Sequence, residues 1–267
     1  MVRKFILLTG WLAVCFLAGC AVNPITGREE LMLFPESYDV SIGQHYAPEI
    51  EKQMGGRIKD ERLQSYVDYV GQKAAQAGHK PELDYHFTAL EDKSVNAFAL
   101  PGGYLFITRG MLEKLSTEAQ LAGIWSHEIV HVVARDTMNA MSNQIGMDIL
   151  LSTAMSDQTS STVRTTVDLA RQIMSLRYSR SDERTADLGG MDYMVAAGYN
   201  PYGMVETMQI LQEQQKYRSI EFLSSHPDPA NRVEYLTENI EWKYPDISDL
   251  TVGQEDYRRG VLERLGK

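Results

Sequence analysis

The residues best suited to chemistry form one short run, His127-Glu128-Ile129-Val130-His131. Residues four apart lie on one face of a helix, so both imidazoles can bind one metal ion. Glu128 can hold a water molecule beside that metal and accept its proton. This spacing is typical of zinc-dependent hydrolysis of peptide bonds. Because so short a pattern also arises by chance, the flanking sequence has to support it.

The flanking residues predict that this run lies on a helix. Thr117 and Gln120 have the spacing of a capping box, with Thr117 as the N-cap. Apolar residues then recur at helical spacing at Leu121, Ile124, Trp125, Ile129, Val132 and Val133. The alternative is a buried amphipathic helix whose histidines are satisfied by hydrogen bonds. It is less favoured, because a core helix has no reason to carry His, Glu and His together.

A third metal ligand is expected on a later segment, since catalytic zinc usually has three protein ligands and one open position. We expect Ser181 to cap a new helix that carries Glu183 and Asp187 one turn apart on one face. Glu183 can bind the metal, and Asp187 can accept the outer N–H of a ligating histidine. The alternative is a solvated acidic first turn that pairs with neighbouring arginines.

Together these motifs resemble the metallopeptidase family that includes HtpX and the CAAX prenyl proteases, in its periplasmic lipoprotein form. The residues that carry the resemblance are 96–103, 127–131, 183–187 and 226–227, with 23–27 and 30–31 near the N-terminus. The resemblance implies a zincin-like (gluzincin) fold with one zinc ion per chain, bound by His127, His131 and Glu183. It implies Glu128 as general base and Asp187 as the partner of a ligating histidine.

His226 is a further candidate, on a loop stiffened by the proline that follows it. Its imidazole could donate a hydrogen bond to the oxyanion of the reaction. It could instead bind zinc as a fourth ligand and hold the enzyme inactive, or be an ordinary surface residue. Arg232 could stabilise the same charge or form a salt bridge on a helix surface. The sequence leaves these alternatives open.

The sequence predicts an α+β fold that is mostly helical, with a small, antiparallel-edged sheet over the helix of the HExxH run. Helices are expected at 37–53, 60–77, from 109, at 141–155, 163–178, 181–197, 202–217 and 230–240, and strands at 83–90, 95–100 and 104–108. By resemblance, Asn96 and Ala97 lie on the edge strand and contact the substrate backbone. The alternative is an ordinary core strand. The polar stretch 156–162 is expected to be mobile.

The N-terminus predicts a lipoprotein signal. Arg3 and Lys4 precede an apolar stretch at 5–17, and Leu-Ala-Gly-Cys at 17–20 resembles a bacterial lipobox, with cleavage before Cys20 and acylation of its thiol. An uncleaved anchor and an ordinary signal peptide are the alternatives. We therefore expect a signal peptide at 1–19, an extended lead at 20–35 and a single zinc metallopeptidase domain at 36–267. Resemblance to Gram-negative lipoproteins favours the outer membrane, facing the periplasm.

Composition restricts the partners. The formal net charge of -10 argues against a nucleic-acid partner and against tight adhesion to anionic lipid. The membrane contact is therefore expected through the N-terminal lipid, and the other partners are polypeptide substrates in the cell envelope. The sequence thus predicts an envelope zinc metalloendopeptidase, a hydrolase acting in protein quality control. The alternative is a chaperone-like outer-membrane assembly factor with latent or secondary proteolysis, which would keep the same ligands.

Overall fold

The structure is a computed structural model that describes residues 19–155, 173, 176–216, 220–226 and 231–267. The predicted signal peptide, apart from Gly19, lies outside the described residues. So do the polar stretch at 156–162 and most of the helix predicted at 163–178.

The described elements are mostly helical. The strands are β1 (Cys20–Val22), β2 (Glu29–Leu31), β3 (His86–Leu90), β4 (Ala97–Leu100) and β5 (Tyr104–Thr108). The helices are α1 (Glu36–Gln53), α2 (Glu61–Gln76), α3 (Arg109–Leu112), α4 (Glu118–Ala134), α5 (Asp136–Met155), α6 (Arg180–Ala196), α7 (Tyr202–Gln215), α8 (Phe222–Ser225), α9 (Arg232–Lys243) and α10 (Gln254–Tyr257), followed by a π turn (Arg258–Leu262) and a 3-10 turn (Glu263–Leu265). The helices and strands predicted within the described ranges are present, with ends shifted by a few residues.

The three-stranded sheet has the order β3-β5-β4. The outer strand β3 runs parallel to the central β5, whereas β4 runs antiparallel to it, pairing Phe98 with Phe106. β4 is therefore an edge strand within this sheet, and it packs against α4. The predicted fold class, mostly helical with a small sheet bearing an antiparallel edge over the HExxH helix, is confirmed.

Helix α4 is the centre of the molecule, and every residue of it is buried. Thr117 caps it as predicted, accepting a hydrogen bond from the Gln120 backbone N–H at 3.2 Å. The reciprocal half of the predicted capping box is absent among the described contacts. The Gln120 side chain accepts instead from the Ser116 N–H at 2.7 Å and donates to Glu206 at 2.8 Å. The helix begins where predicted, and the side chain of Gln120 links it to α7 through Glu206.

Two helix starts differ from the sequence prediction. Ser179, not Ser181, caps α6, and its capping box is completed by Asp182. Ser179 is favoured over Ser181 as the cap because Asp182 lies at the third helical position after Ser179 and can complete its capping box. Helix α5 begins at Asp136, five residues before the predicted start, directly after Arg135 ends α4 in a left-handed conformation with φ 60°.

The N-terminal lead expected at 20–35 contains regular structure. β1 and β2 form an antiparallel hairpin in which Cys20 lies opposite Leu31. Asn23 organises the turn, because its side-chain oxygen accepts from the backbone N–H groups of Ile25 and Thr26. Cys20 is exposed. Among the described residues, no helix combines the length and apolar character needed to cross a bilayer.

Glycines allow two helices to approach α4 closely. A Cβ at Gly190 of α6 would lie 3.0 Å from the backbone nitrogen of His127, and one at Gly203 of α7 only 2.5 Å from the carbonyl of Ala119. Helices can approach this closely only where side chains are missing. These two crossings fix the directions of α6 and α7 relative to the helix that carries the HExxH run.

We expect Gly203→Ala to destabilise the protein by about 1–3 kcal/mol, because the new methyl meets backbone atoms that cannot rotate away. Gly146→Ala in α5 is the matched control, since among the described residues its Cβ would meet only a leucine methyl, at 3.5 Å. The free energies of unfolding of both variants would be measured by denaturant titration. Equal stability of the two variants would contradict the close packing of α7 on α4.

Candidate metal centre

Four side chains from three segments converge on one buried point. His127 and His131 come from α4, Glu183 from the first turn of α6, and His226 from the residue after α8. One ligand atom from each lies within 4.8 Å of all the others. The two His Nε2 atoms are 3.1 Å apart, and Nδ1 of His226 is 2.7 Å from Oε1 of Glu183. The four residues predicted as actual or possible ligands are thus brought together.

Each helix histidine has a carboxylate on its outer nitrogen. Nδ1 of His127 lies 3.0 Å from Asp187, and Nδ1 of His131 lies 2.6 Å from Asp136. A carboxylate at Nδ1 favours the tautomer with its proton there, which leaves the lone pair of Nε2 facing the centre. The structure places Asp187 beside the outer nitrogen of a helix histidine, the position expected from the sequence. Asp136 was missed, because five residues after His131 it would face away in a continuous helix.

Arg232 is buried rather than part of a helix-surface salt bridge, so that alternative is wrong. Its guanidinium donates to both oxygens of Asp187, at 2.5 and 2.8 Å, and to Oε2 of Glu183 at 2.8 Å. The Tyr235 hydroxyl also donates to Asp187. Burial alone would raise the pKa of Asp187, but Arg232 and His127 outweigh it and lower the pKa to about 2. Asp187 is therefore held as a carboxylate against His127.

Glu128 has a different environment from the other carboxylates. It is fully buried, and among the described residues neither of its side-chain oxygens has a hydrogen-bond partner. Nε2 of His226 lies 3.5 Å from Oε1 of Glu128. Burial raises the pKa of Glu128, and the facing histidines offset this only in part. An unpartnered buried carboxylate is costly unless a bound water or ion completes it.

Aromatic rings pack the histidines in place. The Tyr178 ring stacks on His131 with centroids 3.9 Å apart, and Phe222 stacks on His226 at 4.3 Å. The backbone N–H of Tyr178 donates to the carbonyl of Ser225, which ties the approach to α6 to the segment that carries His226. Neither aromatic residue was predicted from the sequence, because no short pattern identifies them.

The edge strand β4 lies beside this centre through its packing on α4. The carbonyl of Asn96 accepts from the Thr108 N–H, so the alternating ladder turns the backbone groups of Ala97 toward the open edge. The Asn96 side chain is buried, and its oxygen has no hydrogen-bond partner in the described part of the chain. The carbonyl of Val95 accepts from the Phe222 N–H at 3.3 Å, so α8 lies against the start of β4.

The donors fit zinc. Imidazole nitrogens with one carboxylate oxygen are a zinc ligand set, whereas calcium and magnesium take oxygen ligands almost alone. Burial of all four side chains and the carboxylates on the outer nitrogens give the rigid surroundings that such a site needs. The two oxygens of Glu128 beside these donors have no hydrogen-bond partner in the part of the chain that the structure describes, so they can accept from a water molecule.

Comparison with known proteins agrees with this geometry. The model of peptidase family M48 matches residues 59–240. The β-barrel assembly-enhancing protease of Escherichia coli (strain K12) is 25% identical over 236 residues, covering 84% of this chain and 48% of that protein. The corresponding protein of Yersinia pestis is 26% identical over 221 residues, covering 78% and 45%. This chain therefore spans about half the length of these bacterial relatives.

A eukaryotic relative is the mitochondrial metalloendopeptidase OMA1 of Schizosaccharomyces pombe, 24% identical over 221 residues, which cover 80% of this chain and 65% of that protein. The predicted resemblance to a zinc metallopeptidase family is confirmed at the level of the family. Because the family match spans more than half of the sequence and includes the His, Glu and His of α4, the chain belongs to peptidase family M48.

Proposed function

We propose that this protein is a zinc metalloendopeptidase of the bacterial cell envelope, with zinc bound by His127, His131 and Glu183. The observation that carries the proposal is the pairing of this buried donor set with Glu128, whose two oxygens have no hydrogen-bond partner among the described residues. A purely structural zinc site favours four closed ligands rich in cysteine and does not need such an acceptor.

Zinc, when bound, supplies a Lewis acid that polarises the substrate carbonyl and lowers the pKa of a water molecule toward about 7. Glu128 accepts the proton of that water as the water attacks, and later gives it to the leaving amine. The raised pKa of its buried carboxyl favours this exchange, because the group must be protonated in one half of the reaction and ionised in the other. No side chain need form a covalent bond to the substrate.

We propose that the substrate binds as an extended strand along β4. Ala97 presents its backbone groups toward the unpaired edge, and Asn96, just before that strand, has a side-chain oxygen without a hydrogen-bond partner among the described residues. All four residues of β4 are buried, so a substrate must first displace what covers this edge. We propose that α8, whose Phe222 N–H donates to the carbonyl of Val95 just before β4, is part of that cover.

His226 retains two candidate roles. Its Nδ1 lies 3.2 Å from Nε2 of His127 and 2.7 Å from Glu183, a position that suits a fourth zinc ligand. Its Nε2 faces Glu128, a position that suits a donor to the reacting groups. A fourth ligand would occupy the coordination position that water needs, so the two roles describe a resting and an active enzyme.

Metal removal tests the proposed function. We expect the purified protein to contain about one zinc ion per chain and to cleave casein, since any extended peptide can pair with an edge strand. Chelation should abolish cleavage, and added zinc should restore it. Metal content would be measured by atomic emission beside the cleavage rate. Cleavage that survives complete loss of metal would exclude this mechanism.

A chaperone-like assembly or quality-control role is the second candidate. Two observations favour it: the side chains of the centre are almost fully buried, and two relatives bear names that refer to β-barrel assembly. A protein that loads zinc but cleaves casein only after the cover of β4 is loosened would fit latent proteolysis. The variant Phe222→Ala, which removes the ring stacked on His226, is a direct way to loosen it.

We propose that the protein is anchored through a lipid on Cys20, at the outer membrane and facing the periplasm. Cys20 is exposed, and the hairpin of β1 and β2 joins it to the folded domain, since β2 contacts α5. Asn139 of α5 donates to the carbonyl of Leu31, which fixes this hairpin to the body of the protein. The anchor would therefore hold the peptidase domain close to the membrane.

Cys20→Ser should abolish lipidation, because a hydroxyl cannot replace the thiol that is acylated. We expect an unprocessed or mislocalised precursor that no longer incorporates labelled fatty acid and no longer fractionates with outer membranes. Cys15→Ser, in the segment predicted to be removed, is the control and should be processed normally. Fatty acid that still enters the Cys20→Ser protein would show that the lipobox assignment is wrong.

A further inference from the structure

The carboxylate behind His131 comes from a residue that a continuous helix could not supply. Residues five apart in an α-helix differ by roughly 140° around the axis, so Asp136 would face away from His131. Yet Oδ2 of Asp136 lies 2.6 Å from Nδ1 of His131, and both side chains are buried. The chain therefore has to change direction between these two residues.

Arg135 makes that change of direction. It is the only residue other than glycine with a positive φ in the described part of the chain, at φ 60° and ψ 34°. This left-handed conformation is unfavourable for a residue with a Cβ. It ends α4 at Ala134 and lets α5 begin at Asp136, where the carboxylate turns back toward the centre and also lies at a helix N-terminus.

A long-range contact holds Arg135 in this conformation. Its guanidinium donates two hydrogen bonds to the carboxylate of Asp39 in α1, at 2.6 and 2.7 Å, and a third to the carbonyl of Phe34 at 2.9 Å. The Arg135 side chain is 10% exposed and that of Asp39 is 7% exposed, so little solvent competes with the pair. A paired arrangement of this kind is geometrically specific.

We propose that Asp39 and Arg135 are positioning residues that strengthen zinc binding by holding Asp136 against His131. Arg135, which contacts Asp39, and Asp136, which contacts His131, are neighbours in the chain. Helix α1 fixes the side chain of Arg135, and this contact fixes the backbone turn at that residue. That turn then directs the carboxylate of Asp136 toward His131. The inference rests on the proposed role of His131 as a zinc ligand. By this inference, α1 supports the metal centre through Asp39 although it contributes none of the four clustered donors.

The test is a chelator titration of zinc affinity beside the melting temperature of the metal-free protein. Asp136→Ala should weaken zinc binding by roughly 10- to 100-fold, the usual cost of losing the outer partner of a ligand. Arg135→Ala should weaken it as well, because it removes the clamp and keeps the unfavourable conformation. Arg135→Gly should retain more zinc affinity than Arg135→Ala, since glycine adopts this conformation freely.

Arg109→Ala is the matched control. Arg109 also makes two hydrogen bonds to one carboxylate, that of Glu91, at 2.5 and 2.9 Å, and its loss should lower the melting temperature without changing zinc affinity. Zinc affinity of Asp136→Ala within twofold of wild type would overturn the inference. Equal zinc affinities of Arg135→Ala and Arg135→Gly would show that the backbone conformation of residue 135 does not contribute to zinc binding.

His131→Ala separates this inference from the proposed function. If His131→Ala loses zinc and Asp136→Ala does not, only the positioning role fails. If His131→Ala binds zinc as tightly as wild type, the proposed metal site itself is wrong, and the positioning role falls with it.

Discussion

Glu128→Gln is expected to leave zinc content and fold intact while lowering peptidase activity by at least about 100-fold, the range that general acid–base groups supply. Glutamine has the shape of glutamate but cannot accept the proton of the attacking water. The substitution breaks no hydrogen bond among the described residues, because both oxygens of Glu128 are unpartnered there. It also removes a buried carboxylate whose pKa is raised by burial, so the metal-free protein should not lose stability.

The matched control is Glu118→Gln, a second buried glutamate on the same helix. Its carboxylate accepts hydrogen bonds from the hydroxyls of Tyr66 and Tyr199, each at 2.7 Å. Weakening these bonds should cost about 1 kcal/mol of stability and leave the cleavage rate per folded molecule unchanged. Casein cleavage, zinc content and thermal unfolding would be measured for both variants. Activity of Glu128→Gln within twofold of wild type would remove Glu128 from its proposed role.

The parts of the fold that follow from local sequence were predictable. Thr117 caps the start of α4, and β4 and β5 flank a turn at 101–103 that the Pro-Gly-Gly sequence indicates. The ligand pattern was equally local, since two histidines four apart share a helix face whatever the helix packs against. For these elements, neighbouring residues determine the backbone, so one sequence is sufficient.

The parts that were missed depend on contacts distant in sequence. The break at Arg135 has no glycine or proline to signal it, because its cause is a carboxylate in α1, 96 residues earlier. Nothing in the sequence distinguishes the buried Arg232 from an exposed arginine, since its burial depends on Asp187 and Glu183 of α6. The cap of α6 was misplaced by two residues because the sequence offers two serines. The roles of the individual site residues remain predictions that the variants proposed here would test.

Glu183, the proposed third ligand, lies on a different helix from His127 and His131, and a series of three substitutions in α6 tests it. Glu183→Ala should weaken zinc binding by more than the roughly 10- to 100-fold expected for Asp187→Ala, because it removes a ligand rather than the outer partner of one. It also leaves the buried guanidinium of Arg232 short of one acceptor, 2.8 Å away in the wild type. Asp187→Ala likewise removes acceptors of this guanidinium, so both variants should unfold more easily even without metal. Zinc affinity therefore has to be compared at a temperature where each variant is folded.

Asp182→Ala is the control built into the same turn. The Asp182 side chain accepts from the backbone N–H of Ser179 at 2.9 Å in the capping box, and the residue is only half-buried, unlike Glu183 and Asp187. Its loss should cost about 1 kcal/mol of helix stability and leave zinc affinity within about twofold of wild type. One chelator titration gives the order of the three effects. If Asp182 proved more important than Glu183, the assignment of Glu183 would be wrong. If none of the three mattered, the third ligand would have to be another residue, and His226, already within the cluster, would be the first to test.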